Sequence, residues 1–310
     1  MNQDELKRYA ASKQIALGTA EKDYVLSVVL MNLSKGEYAE NLIFKGGTAI
    51  KKVYFPDARF SVDLDFDFFD VRSDNLVREI SYLYGGKTIL EANFREIRKE
   101  DMTDNRVLLR LEYVAQMKYL DSIRLDFTFK EPVLTTPTWW TPRDDYEVAR
   151  RTTCEHLEMQ IIDNLGIYDC KLGRIKRGQG RRRCLDCRME APRRRDPIPS
   201  AFKAMSLEEI LSEKVRACLV RGRPRDLYDI WFLQSKGTKL DRDMIVYKLQ
   251  LYQEFKEKIP NLREIREHLN RIKPEWNRDL AALVPSKSYP AFEETLETVI
   301  NSLKNSGWKG

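Results

Sequence analysis

The stretch Phe44-Lys45-Gly46-Gly47-Thr48-Ala49-Ile50, taken with Phe60-Ser61-Val62-Asp63-Leu64-Asp65-Phe66-Asp67 downstream, decides how this chain is read. Asn41 to Lys45 is a short apolar run suited to a buried strand, and the paired glycines break it before a helix-like segment from Thr48 to Tyr54. From Phe60 to Phe69 the side chains alternate as only a strand does. Val62, Leu64 and Phe66 take one face, while Ser61, Asp63, Asp65 and Asp67 take the other. Successive acids then stand ~7 Å apart on one surface. Alone, an Asp-x-Asp is most often a solvated strand face. The upstream glycine turn changes that reading: exposed N–H groups at a helix start hold phosphates, and hard carboxylate oxygens hold Mg²⁺, whose remaining positions phosphates fill.

Working outward, Arg106 to Tyr113 and Ser122 to Phe129 repeat the strand alternation, and Asp126 sits opposite its apolar neighbours, so it can share the acid-bearing face. Two or three carboxylates on one face suit a pair of Mg²⁺ or Mn²⁺ ions that stabilise the attacking and leaving oxygens of an in-line displacement at phosphorus. Upstream, a helix is expected from Ala20 to Leu33, with Glu21 and Asp23 near its first turn and Gly36 ending it. A further helix covers Asn75 to Tyr84. After Phe129 the sheet is expected to end, since Pro132, Pro137 and Pro142 around Trp139-Trp140 read as an arm leaving it. From Met205 the periods are helical: Leu207 to Val220 capped by Ser206, Asp226 to Gln234, Met244 to Lys258, and Phe292 to Leu303. The domain expectation is an N-terminal helix and sheet domain over residues 1–150, a basic, Cys-containing insertion over 151–200 and a helical domain over 201–310.

Length and composition agree with an enzyme-sized globular protein. The chain has 310 residues, 42% hydrophobic and 33% charged, enough for two domains and a heavily charged surface. The longest apolar run, around Tyr24 to Met31, is too short to span a membrane, and the N-terminus lacks the layout of a signal peptide, so the protein is expected in the cytoplasm. The net charge of +6 is concentrated between Lys171 and Arg195, where only Asp186 and Glu190 oppose the basic residues. Such a segment is either a solvated insertion or a phosphate-backbone contact, and its density of arginine favours RNA. Five cysteines are an odd count that argues against a disulfide framework. Cys184 and Cys187 have zinc-knuckle spacing, Cys170 lies upstream, and Cys154 or His156 can complete a structural Zn²⁺ site. Cys218 belongs to the core.

Leu207, Ile210, Leu211, Val215 and Cys218 form an apolar helical stripe, and Lys214 falls inside it. Its ammonium either snorkels to the surface or points into a cleft and binds phosphate. Asp226, after Gly222-Arg223-Pro224-Arg225, is placed to cap the next helix. Arg59 can contact phosphate or pair with a nearby acid.

The segments Phe44 to Ile50, Lys52, Tyr54 and Arg59 to Phe66, with Glu21-Lys22-Asp23-Tyr24-Val25-Leu26 before them and Lys214 and Arg225-Asp226-Leu227-Tyr228-Asp229-Ile230 after them, resemble the AbiEii/AbiGii-type toxins of the DNA polymerase β nucleotidyltransferase superfamily. The Gly47-to-Asp63 gap is longer than that pattern, and the cysteine-bearing basic segment lies outside it. The resemblance implies an α/β (α+β) fold, a polymerase-β-like mixed sheet with helices plus a C-terminal helical domain. It implies that Gly46, Gly47, Thr48, Lys52, Arg59 and Ser61 bind the nucleotide, that Asp63, Asp65 and Asp126 hold Mg²⁺, and that Lys214 and Asp226 complete the catalytic set. The activity implied is nucleotide transfer from an NTP to RNA such as a tRNA 3′ end, in a toxin that has a cognate antitoxin protein. Two alternatives stay open: phosphoryl or nucleotidyl transfer to a protein hydroxyl, and a non-enzymatic nucleic-acid-binding module.

Overall fold

The computed structural model describes residues 1–70, 72–129, 131–142, 175–178, 181–184, 190–191, 201–285 and 290–309, with backbone alone for 175–191. Two helices lead the chain. Helix α1 (Gln3–Lys13) is closed by a capping box between Asn2 and Glu5. Helix α2 (Leu17–Leu33) is buried on nearly every side, with Val25, Leu26, Val28, Val29 and Leu30 all in the core. It starts three residues before the expected Ala20. Glu21 and Asp23 therefore do not serve the helix dipole: they are buried, Glu21 accepting from the Met117 N–H at 2.6 Å and Asp23 pairing with Lys52 at 3.0 Å.

The central sheet is mixed and has nine strands. Its inner strands are β1 (Leu42–Lys45), β2 (Asp63–Phe68), β6 (Arg106–Val114) and β7 (Leu120–Phe129), flanked by β3 (Thr88–Ile89), β4 (Ala92–Phe94) and β5 (Arg98–Met102). Strand β2 runs antiparallel to β1 and parallel to β7. The sheet does not end at Phe129. Strand β8 (Thr138–Trp140) lies inside the proline-rich arm, and β12 (Phe202–Ala204) pairs parallel with β1 and carries β8 on its outer edge. Edge strands of three residues tolerate flanking prolines and are too short to show a period. Trp140 stacks on Phe44 at 5.7 Å, which anchors the arm to the sheet. Within the basic segment, β9 (Ile175–Gly178), β10 (Arg181–Cys184) and β11 (Glu190–Ala191) form a separate antiparallel ladder.

Helix α3 (Gly46–Ala49) follows β1 and runs on through a π-type turn at Ile50–Tyr54, and α4 (Ser73–Tyr84) crosses from β2 to β3. The C-terminal helices are α5 (Leu207–Arg221), α6 (Pro224–Ser235), α7 (Arg242–Gln250), α8 (Leu262–Asn270), α9 (Trp276–Leu280) and α10 (Phe292–Asn305). Ser206 caps α5 through the Glu209 N–H, as the sequence predicts. The helix expected over Met244 to Lys258 is shorter: α7 is capped by Asp241 and stops at Gln250, and a 3₁₀ turn follows at Gln253–Phe255. One cluster of buried apolar side chains runs through both halves of the chain, and the Phe60 N–H donates to the Leu283 carbonyl at 2.8 Å. Among the described residues no helix is long and apolar enough to cross a membrane.

Candidate active site

One register sets both faces of the sheet at its centre. Phe44, Phe66 and Phe127 are direct partners across β1, β2 and β7, with ring centroids 5.2 and 5.4 Å apart on the core side. The next residue outward on each side gives the opposite row: Lys45 partners Asp65, and Asp65 partners Asp126. A one-residue slip would expose the phenylalanines and bury the acids, so aromatic packing holds the acid row in place. The lysine that ends the apolar β1 strand is the signal in the sequence for this row.

The row lies on the wall of a cleft of about 560 Å³ between the sheet and α5, within the ~300–1,000 Å³ usual for ligand sites. Gly46, Asp65, Asp126 and Lys214 line it together with Lys45, Arg106 and Glu213. Gly46 has a φ of 77°, and a Cβ there would stand 2.1 Å from an Asp65 carboxylate oxygen. Glycine is required twice over, for the left-handed backbone and for the close approach. The variant Gly46→Ala is expected to displace Asp65 and to cost roughly 1–2 kcal/mol in backbone strain alone. Thermal melting and NTP turnover measured together check it, and an unchanged turnover would remove Gly46 from the site.

Burial, then the neighbouring Asp126 and Asp63 carboxylates, push Asp65 up to about 6. The other two acids each meet a cation. Asp126 forms a bidentate pair with Arg106 at 2.5 and 2.8 Å, and Asp63 lies 3.7 Å from Arg225. Asp63 is outside the cleft lining, and its carbonyl accepts from the Thr48 hydroxyl at 2.5 Å, which ties β2 to the glycine turn. Among the described residues no three His, Cys, Asp or Glu side chains converge as a ready-made metal site. Mg²⁺ does not need that many: one or two carboxylates with substrate phosphates and water suffice, so the adjacent Asp65 and Asp126 fit it.

Lys214 does not snorkel. It is buried, and its ammonium lies 2.8 Å from Asp229 and 3.3 Å from Asp226 while lining the cleft. Asp226 is not the cap of α6. Arg223 holds that position with Pro224 following it, and Asp226 sits fully buried in the first turn, bound by Arg221 at 2.8 and 3.0 Å. Burial pushes the Asp226 carboxyl up, but Lys214 and Arg221 outweigh it and hold it far below the usual range.

Arg59 turns inward to an acid: it donates twice to Asp229, at 2.7 Å each, and once to the Phe60 carbonyl. Its guanidinium lies under the glycine turn, 2.8 Å from where a Gly47 Cβ would be, and the Ser61 hydroxyl lies 3.2 Å from the same point. Lys52 is engaged with Asp23 and is not among the cleft residues. The sequence reading missed the second charge cluster. Lys45 lies 2.5 Å from Asp67, 3.4 Å from Glu131 and 3.5 Å from Glu213, and Lys248 pairs with Glu209 and Glu213. Burial pushes Glu213 up, but Lys45, Lys248 and Arg216 outweigh it and hold it at about 2. The expected zinc ligands Cys154, Cys170, Cys184 and Cys187, with His156, lie outside the residues whose side chains are described.

Comparison with known proteins adds a family. The model described as "Nucleotidyl transferase AbiEii toxin, Type IV TA system" matches residues 28–163 and 182–298. Curated protein sequences give no match. Among solved structures the chain is similar to JHP933 from Helicobacter pylori, at 16% identity over 94% of this chain and 93% of that one, with a TM-score of 0.47. A second H. pylori protein, provisionally described as a nucleotidyltransferase, is similar at 15% identity over 94% and 96%, with a TM-score of 0.46.

Proposed function

The chain belongs to the AbiEii nucleotidyl transferase family of type IV toxin–antitoxin systems, and we propose that it moves a nucleotide from an NTP to an RNA acceptor such as a tRNA 3′ end. The observation that carries this reading is the placement of Asp65 directly beside Asp126, against the Gly46 backbone, in a cleft that Lys214 also lines. Asp65 and Asp126, with Asp63 on the same strand face, would hold divalent cations, Mg²⁺ or Mn²⁺. Ions bound there would neutralise the transferring phosphoryl group and lower the pKa of the attacking hydroxyl.

The residues of the chain divide the remaining work. Backbone N–H groups of the Gly46-Gly47-Thr48 turn cradle the triphosphate, and Lys214 faces the leaving pyrophosphate. Asp226 and Asp229 aim the Lys214 ammonium, and Arg106, which pairs with Asp126, would be free to contact phosphate were that carboxylate to hold a cation. The acceptor is a polyanion on two grounds. The segment from Lys171 to Arg195 is strongly basic, and Arg124, Arg110 and Arg98 are consecutive cross-strand partners leading away from Asp63 over the open sheet face. Glu100 sits among them and orders the row, 3.0 Å from Arg124. A cognate antitoxin is the protein partner that family membership implies.

The test is direct. Purified protein, wild type and Asp63→Asn, is incubated with total RNA, Mg²⁺ and each α-labelled NTP in turn, and the products are resolved on a denaturing gel. Label is expected in a discrete RNA band with wild type only. Label that enters protein instead would replace the acceptor, and no label with any NTP would sink the transfer reading.

A further inference from the structure

The acid row accounts for one end of the cleft. The same cavity continues to Ala217, Val220, Leu251 and Tyr252, an apolar surface that borders Arg216 and Arg221. Ala217 follows Lys214 by one turn of α5 and Val220 by nearly two, so the apolar end lies ~5–9 Å along the helix from the lysine ammonium's root. Tyr252 and Leu251 come to the cleft because α7 stops at Gln250. The Tyr252 N–H closes on the Leu249 carbonyl at 2.9 Å, and Leu251 is left 45% exposed.

The Tyr252 ring is held in place. The Arg216 guanidinium lies 5.1 Å from its centroid and donates to its hydroxyl, and Arg216 is itself 4.0 Å from Glu213. A half-buried aromatic ring, fixed by a charged neighbour and lining a polar cleft, is preorganised to stack on a flat apolar partner. We propose that this end of the cleft takes the base of the incoming NTP, with Tyr252 as the stacking platform and Ala217 and Val220 as the wall of the slot. The proposal rests on the transfer reading for what occupies the other end. Stacking on Tyr252 is equal in the ground and transition states, so the residue sets KM for the NTP and leaves kcat alone.

The experiment is a calorimetric titration of wild type, Tyr252→Ala and Tyr252→Phe with ATP, CTP, GTP and UTP in turn, and with inorganic tripolyphosphate, all in Mg²⁺. Tyr252→Ala is expected to weaken NTP binding about tenfold or more. Tyr252→Phe, which keeps the ring and the guanidinium beside it but loses the hydroxyl contact, should lose far less NTP affinity than Tyr252→Ala. Tripolyphosphate, which has no base, should bind all three equally. In turnover, KM for the NTP should rise in Tyr252→Ala while kcat and KM for the acceptor hold.

Should Tyr252→Ala fail to fold by thermal melting, Ala217→Leu, which narrows the slot, is expected to give the same selective loss. Unchanged NTP binding, an equal loss for NTP and tripolyphosphate, or a change confined to the acceptor KM would each overturn the proposal. The transfer reading fails separately: NTP binding that depends on Tyr252 without label transfer by wild type would sink that reading and leave the base slot standing.

Discussion

Replacing Asp65 with asparagine is expected to raise the melting temperature of the metal-free protein at pH 8 while removing turnover. Burial and the carboxylates of Asp126 and Asp63 raise Asp65 from an ordinary 3.8 to about 6. The folded state therefore binds this proton more tightly than the unfolded chain does. The resulting stability is fully present below pH ~4 and is lost as pH rises through ~6, so the ionised carboxylate costs on the order of 2–3 kcal/mol at pH 8. Asparagine keeps the shape without the charge and should recover most of that cost, a gain of several degrees that shrinks to nothing as the pH is lowered to 4. Turnover should fall on the order of a thousandfold, because the variant keeps the fold but lacks an anionic ligand beside Asp126. Melting curves at pH 4, 6 and 8, with and without Mg²⁺, check both halves. Wild type should gain stability from Mg²⁺ and Asp65→Asn should not. A lower melting temperature for the variant at pH 8 would mean that the acid row is not under electrostatic strain.

The acid-bearing strand was legible because its period is local. Six residues of alternating Asp and apolar side chains fix β2 and its two faces without reference to the rest of the chain. Asp126 was legible as a face but not as a neighbour. Its place beside Asp65 depends on the β2–β7 register, which the aromatic row sets over a separation of about sixty residues. Strand β5 was missed because all five of its residues are exposed and charged or polar apart from Met102, so it carries no hydrophobic period. The early stop of α7 was missed as well, since Leu251 and Tyr252 continue a helical pattern that the structure breaks to line the cleft. Charges buried by pairing were the least legible. Sequence patterns assign acids and bases to the surface by default, yet Glu21, Asp23, Lys45, Asp226 and Asp229 are all buried. Apart from Asp226, which Arg221 and Lys214 bind from the preceding helix, their partners lie far away in the chain, and composition and spacing carry no trace of who pairs with whom.

Arg59 and Asp229 are the pair where that matters most, and Asp229→Ala is expected to be the most destabilising single substitution near the site. The two side chains are each 3% exposed and joined by two hydrogen bonds of 2.7 Å, and Lys214 adds a third cationic contact at 2.8 Å. Burial pushes the Arg59 guanidinium down, and Asp229 outweighs it; an arginine stays charged either way, so the buried charge needs its partner. Removing Asp229 leaves Arg59 buried and unmatched, at a cost of about 3–5 kcal/mol, whereas exchanging both for apolar residues of similar volume is often neutral. The double variant Arg59→Met with Asp229→Leu should therefore melt close to wild type although Asp229→Ala does not, a coupling read from denaturant unfolding of the two singles and the double. Turnover should not return with stability. Arg59 supports the Gly47 turn from below and Asp229 is the nearer of the two acids that hold Lys214, so the double variant would keep a folded cleft in which the glycine turn has lost its charged support and the lysine one of its two acids. A double variant as unstable as Asp229→Ala would show that shape, not charge, is what this pair contributes. A double variant with wild-type turnover would detach Lys214 from the chemistry.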